Sequence, residues 1–170
     1  MLSKEVAQLI NEQINKEFFS AYLYLDMSNY YELKNLNGFS NWFRVQSQEE
    51  RDHALLFIAY MQKSNEEIKF FIIDGPGKPY EDFKAPLTIA LDHEKLVTAS
   101  IYNIYEEAGK QRDFKTQQFL NWFITEQGEE EKNTEDLIDR YELFGKDAKS
   151  LYLLDAELAA RVYAPPTLVV

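Results

Sequence analysis

The chain has 170 residues, about one domain's worth, and 45% of them are hydrophobic, enough to fill a single core. Only 6 glycines and 5 prolines argue against collagen-like, disordered and many-turned β classes and in favour of long helices. Acidic residues outnumber basic ones 29 to 18, and the net charge of −11 excludes a general phosphate-binding surface for nucleic acid or anionic lipid.

There is no cysteine, which removes disulfides, thiolate zinc sites, iron–sulfur clusters and cysteine nucleophiles from consideration. Met1 to Glu5 lead straight into an amphipathic pattern without a hydrophobic signal core. No run approaches the ~18 apolar residues of a spanning helix. The expectation is a cytoplasmic protein with no membrane and no nucleic-acid partner, and an acidic surplus that suits cations.

Ser3 caps a first predicted helix that runs to about Lys34 and breaks at Asn35-Leu36-Asn37-Gly38. A second runs from about Phe39 to Ser64. Residues 65–86 contain Asp74-Gly75-Pro76-Gly77 and Pro79 and cannot be regular helix. A third helix covers Leu87 to Lys110, and a fourth Phe114 to Phe144 with Gly145 as its cap. A short fifth, Asp147 to Ala160, carries Leu151, Leu154 and Leu158 at helical spacing, and Pro165-Pro166 stop it from continuing. That stripe is either a docking edge between subunits or a cover for the subunit's own core.

Short loops make helices one and two, and three and four, antiparallel neighbours. The connection over 65–86 can reach ~70 Å at ~3.3 Å per residue. A helix of ~27 residues is only ~40 Å long, so helices two and three can lie parallel. The expected architecture is an all-α four-helix bundle over 1–145 with one long crossover, a fifth helix within 146–162 and a tail over 163–170, all in one domain.

Each long helix carries a 3-4-3-4 apolar seam. The seams are Ile10, Ile14, Glu17, Ala21, Tyr24, Ser28, Tyr31; then Phe39, Phe43, Gln46, Glu50, His53, Phe57, Tyr60. The third is Leu87, Leu91, Glu94, Thr98, Ile101, Tyr105, Ala108, and the fourth Leu120, Phe123, Gln127, Glu130, Thr134, Leu137, Tyr141, Phe144. Glu17, Glu50, His53, Glu94, Gln127 and Glu130 therefore fall on core positions. Burying an unpaired carboxylate costs several kcal/mol, and several facing one another also repel. Protonation relieves this in part, and a bound cation relieves it better.

The spacings repeat. Glu17 to Glu50 and Glu94 to Gln127 are each 33 residues, and Glu50 to His53 and Gln127 to Glu130 are each three. The whole set recurs at an offset of 77, as two pseudo-symmetric helical hairpins require. Ligands at i and i+3 share one helix face, and carboxylates with one imidazole suit iron or manganese.

Glu17, Glu50-x-x-His53, Glu94 and Gln127-x-x-Glu130, with the long crossover, resemble the ferritin-like di-iron proteins, whose general pattern is a glutamate from two helices and Glu-x-x-His from the other two. Gln48-Glu49-Glu50-Arg51-Asp52-His53 and Glu126-Gln127-Gly128-Glu129-Glu130-Glu131 resemble the prokaryotic non-haem ferritins in particular. Gln127-x-x-Glu130 replaces the second Glu-x-x-His, so the two metal positions are unequal and the second is the weaker. Asp52 stands where bacterioferritins place a haem-ligating methionine, so no haem is expected.

The resemblance implies a first iron position of Glu17, Glu50 and His53, with Glu50 bridging to a second of Glu94 and Glu130. Gln127 is a weak ligand or hydrogen-bond partner there. It also implies a third position at Glu49, Glu126, Glu129 and Glu130, for which a plain surface cluster is the rival reading. Tyr24 either hydrogen-bonds a ligand and supplies an electron or is a core tyrosine. Trp122 is assigned to packing and His93 to the surface. The implied activity is oxidation of Fe²⁺ by O₂ or H₂O₂ and storage of the product inside a homo-oligomeric shell of 24 subunits. The rivals are a di-iron oxidase or peroxidase that retains its iron, and a purely structural bundle.

Overall fold

The computed structural model describes residues 2–77 and 79–170. Its helices are α1 (Lys4–Glu32), α2 (Asn37–Lys63), α3 (Ala85–Lys110), α4 (Phe114–Phe144) and α5 (Ala148–Leu158), with no strand among the described residues. Three starts carry a local cap. The Ser3 hydroxyl accepts the Val6 N–H at 3.2 Å, Asp113 accepts that of Thr116 at 3.1 Å, and Asp147 that of Ser150 at 2.8 Å. Pro86 occupies the first turn of α3, where its missing N–H leaves no intrahelical bond unmade.

The start of α2 departs from the sequence expectation. The helix begins at Asn37, so Gly38 lies inside its first turn rather than in the break. No local side chain caps it; Asp155 of α5 does, its Oδ1 accepting from Gly38 N at 2.8 Å and Phe39 N at 3.0 Å. A Cβ on Gly38 would sit 1.7 Å from the Asp155 carbonyl oxygen, so the glycine serves the close approach of α5. The left-handed residue of this turn is Asn35, at φ 58°. Removing this long-range cap with Asp155→Ala is expected to cost about 0.5–2 kcal/mol, read as a lower denaturant midpoint.

Smaller differences occur elsewhere. Helix α1 ends at Glu32, two residues before Lys34, and α3 starts at Ala85, two before Leu87. Gly145 caps α4 at φ −76°, so it is kept for space: a Cβ would lie 2.6 Å from the Tyr141 ring.

Antiparallel pairing of α1 with α3 follows from Lys16 Nζ to Ser100 Oγ (2.6 Å) at one end and Tyr31 OH to the Phe83 carbonyl (2.5 Å) near the other. Helices α2 and α3 are therefore parallel, and the connection from Ser64 to Lys84 travels along α1. Asn11 Oδ1 accepts the Lys69 N–H at 2.7 Å, and Asp26 accepts the Tyr80 hydroxyl at 2.7 Å. Aromatic pairs fill the space between α2 and α4: Phe57 stacks on Phe123 with centroids 4.2 Å apart, and Tyr60 on Phe119 at 4.1 Å.

The apolar core is split in two. One half holds Ile10, Ile14, Phe57, Ile101, Leu120 and Phe123; the other holds Tyr24, Met27, Tyr31, Phe39, Phe43 and Leu87. Leu154 and Leu158 are buried in the second half, and Leu151 packs against it, so the α5 stripe covers the subunit's own core. The third seam is corrected by one residue over part of its length: Ala90, Val97 and Ile104 are buried where the pattern predicts Leu91, Thr98 and Tyr105. These three are half-buried, as is Ala21, while Phe144 at the end of the fourth seam is exposed. No described helix is long and apolar enough to cross a membrane.

Candidate metal centre

Between the two apolar halves lies a belt of buried polar groups. Glu17, Glu50, His53, Glu94, Gln127 and Glu130, contributed by all four long helices, are 0 to 4% exposed. Ligand atoms of Glu17, Glu50 and His53 lie within 4.8 Å of one another, and so do those of Glu50, Glu94 and Glu130. Glu50 belongs to both groups.

Burial raises the pKa of all four seam glutamates. Glu50 adds to this at Glu17, and Glu94 adds to it at Glu50 and Glu130. At Glu94 burial is opposed by hydrogen bonds from Tyr24 and Gln127. The belt is thus an assembly of like charges held out of water. Glu17 Oε2, both oxygens of Glu50 and His53 Nδ1 have no hydrogen-bond partner. His53 Nδ1 is 3.7 Å from Glu50 Oε2, too far for a hydrogen bond. Buried acceptors without donors normally cost 1–3 kcal/mol each. Glu17, Glu50 and His53 each bring a ligand atom within 4.8 Å of the others, so a divalent cation held among them would supply partners to groups that lack them; hard oxygens with one imidazole suit iron.

The second group is already engaged. Tyr24 donates to Glu94 Oε1, Gln127 Nε2 to Glu94 Oε2 at 3.0 Å, and Gln46 Nε2 to Glu130 Oε2. Gln127 therefore stands as a donor that orients Glu94. Gln13 does the same for Glu17, donating to Oε1 at 2.7 Å. Gln13 and Gln46 lie outside the ligand set that the sequence pattern picks out. The signal for them is present, since each precedes a seam glutamate by four residues and they are themselves 33 apart. The second hairpin has Ala90 and Phe123 at those places, so it lacks their counterparts.

The expected third position is only partly brought together. Ligand atoms of His53, Glu126 and Glu130 lie within 4.8 Å of one another. Glu49 and Glu129 join no such group; Glu129 is exposed, and Glu49 accepts from Arg161 Nη2 at 2.5 Å.

His93 corrects the sequence expectation of a surface histidine. Its Nε2 is hydrogen-bonded to Ser20 Oγ at 2.7 Å, its ring meets Phe19 and Tyr24, and burial pushes its pKa down to about 4. The contact of α1 with α3 encloses it, although its direction away from Glu94 is as the helical spacing requires. Trp122 packs edge-on to His53 at 5.6 Å. Asp52 accepts from the hydroxyl of Tyr163.

A four-helix bundle with one long crossover, holding a glutamate or Glu-x-x-His on facing helices, defines the ferritin-like class of carboxylate metal proteins. Residues 7–144 match the Ferritin-like domain family. The chain is 37% identical over 163 residues to a bacterial non-heme ferritin of Staphylococcus epidermidis, covering 96% of this chain and 98% of that one. An open-pore ferritin from the archaeon Archaeoglobus fulgidus superposes with a TM-score of 0.92 at 37% identity, over 95% of this chain and 98% of that one. A humanized archaeal ferritin gives 0.95 at 38% identity, over 97% of this chain and 100% of that one. The chain belongs to the ferritin family.

Proposed function

We propose that this protein oxidises Fe²⁺ at the buried belt and stores the product as Fe³⁺ mineral inside a homo-oligomeric shell. The observation that carries this is a pair of buried ligand groups, Glu17–Glu50–His53 and Glu50–Glu94–Glu130, that share Glu50, the first with polar atoms on every member that have no hydrogen-bond partner. Fe²⁺ is the substrate. Glu17, Glu50 and His53 hold one ion; Glu94 and Glu130 hold the second, and Glu50 spans both. Each Fe²⁺ gives up one electron. O₂ takes the pair with two protons to become H₂O₂, or H₂O₂ takes it with two protons to become two waters.

Tyr24, hydrogen-bonded to Glu94, is placed to orient that ligand. Gln127 orients the same carboxylate. The second ion is the looser one, because Glu94 and Glu130 must surrender hydrogen bonds or share them. A site that must pass its product onward benefits from that inequality. Glu49, Glu126 and Glu129, with Glu130, make up a third position, of which Glu126 and Glu130 already lie together with His53. The reading includes a shell of 24 subunits, a cytoplasmic setting and no haem, with Asp52 in place of a haem ligand.

The test is to add Fe²⁺ aerobically in large excess and measure particle size and iron retained per particle. Iron retained in the thousands by a large particle is the expected result. About two irons per chain on a small oligomer would replace storage with an oxidase that keeps its metal, and no iron-dependent absorbance would leave a structural bundle.

A further inference from the structure

The segment after α5 does not leave the bundle. The Asn41 side chain donates to the Arg161 carbonyl at 2.9 Å, and the Tyr163 hydroxyl donates to Asp52. Trp122 Nε1 donates to Thr167 Oγ1 at 3.1 Å, and Leu168 and Val170 pack against the apolar half of the core that contains Phe57 and Phe123. Residues 161–170 thus follow the groove between α2 and α4 as an extended strap. They cover the side of the bundle on which Glu49 stands.

Arg161 is the one basic residue of that strap, and its contacts converge on the metal belt. Nη2 donates to Glu49 Oε2 at 2.5 Å, and Nη1 donates to Gln46 Oε1 at 2.9 Å and to the Trp42 carbonyl at 3.2 Å. The guanidinium also lies 4.5 Å above the Trp42 ring. Through its other end Gln46 donates to Glu130. A single chain of hydrogen bonds therefore runs from the strap, through Arg161 and Gln46, to a carboxylate of the second metal position. Glu49, paired with this guanidinium, lies outside the group that Glu126 and Glu130 form with His53.

We propose that Arg161 is a positioning residue that acts as a tethered cation, taking the charge-neutralising place of a third metal ion at Glu49. The third position then forms only when residues 161–170 lift from the α2–α4 groove, which frees Glu49 and loosens the hold of Gln46 on Glu130. The strap couples release of the second ion to occupation of the third position: a cation arriving at Glu49 displaces Arg161. This inference rests on the proposed two-ion centre. The attraction of a fixed positive charge for a carboxylate is the same term that repels an incoming cation, and at a few ångströms near a protein surface it changes affinity by an order of magnitude or more.

The probe is Zn²⁺, which binds hard and borderline donors without redox chemistry, added to the assembled full chain. Calorimetry gives the number of ions per chain, and anomalous diffraction from soaked crystals places them. The unaltered protein is expected to bind two ions, at Glu17–Glu50–His53 and Glu94–Glu130. Arg161→Gln is expected to bind a third on Glu49 and Glu126, at Zn²⁺ concentrations about tenfold or more below those at which the unaltered chain takes up any ion there. Arg161→Lys keeps the charge while losing the flat stack on Trp42 and is expected to stay at two, whereas a merely structural role would shift both variants alike. Adding Glu49→Gln to Arg161→Gln is expected to remove the third ion.

A chain cut after Ala160 is a second route to the same end and is expected to match Arg161→Gln. The inference is overturned by a tight third ion beside an Arg161 still paired to Glu49, or by two ions in every variant. Absence of the first two ions in the unaltered chain would instead overturn the two-ion centre, and the inference with it.

Discussion

Replacing Glu50 with alanine slows initial Fe²⁺ oxidation by about 100-fold or more while leaving the helices and their assembly intact. Removing a group that merely supports a metal ligand typically costs 10–100-fold, and Glu50 stands at the head of that range because it belongs to both ligand groups. Without it neither ion has its full set of acceptors, and the two no longer share a carboxylate. The fold tolerates the change because neither Glu50 oxygen makes a hydrogen bond in the metal-free chain. Removing a buried carboxylate without partners relieves its desolvation cost, which offsets the cavity that alanine leaves. Glu50→Gln, which keeps the volume, separates the two effects: the metal-free variant is expected to be at least as stable as the parent at pH 7 and equally slow. Stopped-flow absorbance gives the rate and guanidinium unfolding gives the stability. Unchanged oxidation kinetics in Glu50→Ala would remove the bridging role.

The metal-free protein loses stability as pH rises above about 4.5, the ordinary pKa of these glutamates, and a divalent cation abolishes that loss. The sign follows from the direction of the shifts. Burial and mutual repulsion raise the pKa of Glu17, Glu50, Glu94 and Glu130 in the folded chain, so the folded state holds protons that the unfolded state has released. Below the unfolded pKa both states are protonated and no penalty exists. As pH climbs toward the raised folded values, stability falls by about 1.4 kcal/mol per pH unit for each proton held only in the folded chain. His93, pushed down to about 4, contributes one proton's worth of the opposite slope up to its ordinary 6.5, which the four glutamates together outweigh.

Cation binding needs the carboxylates charged, so it expels those protons, and fewer of them at higher pH. Denaturation of metal-free protein across a pH series, with and without Zn²⁺, measures the first effect. Titration in buffers of different ionisation enthalpy counts the released protons. A metal-free stability that is flat or rising over this window would contradict the raised pKa values.

The bundle and its buried belt were legible in the sequence for a specific reason. An amphipathic helix must place its seam inward, so a glutamate on the seam at Glu17, Glu50, Glu94 or Glu130 is committed to the core by the apolar residues on either side of it. The 33-residue and 3-residue spacings add the pairing of helices into hairpins. Gln13 and Gln46 were within reach of the same logic, one turn before two of those glutamates. The limits of the helices were less legible wherever a distant residue decided them. The start of α2 depends on Asp155, more than a hundred residues away, and the enclosure of His93 depends on Ser20 and Phe19 of another helix.

What the sequence by itself determined is therefore the class of architecture and the identity of the acids at its centre, because period and spacing are local properties that survive without coordinates. The tertiary structure decided which of those acids are free to act. It left Glu17 Oε2 and both Glu50 oxygens without a hydrogen-bond donor, bound Glu94 and Glu130 to neutral donors, and placed Arg161 on Glu49. Each of these outcomes is a contact between segments far apart in the chain. No periodicity encodes such a contact, because it exists only once α2, α4 and the segment after α5 lie side by side.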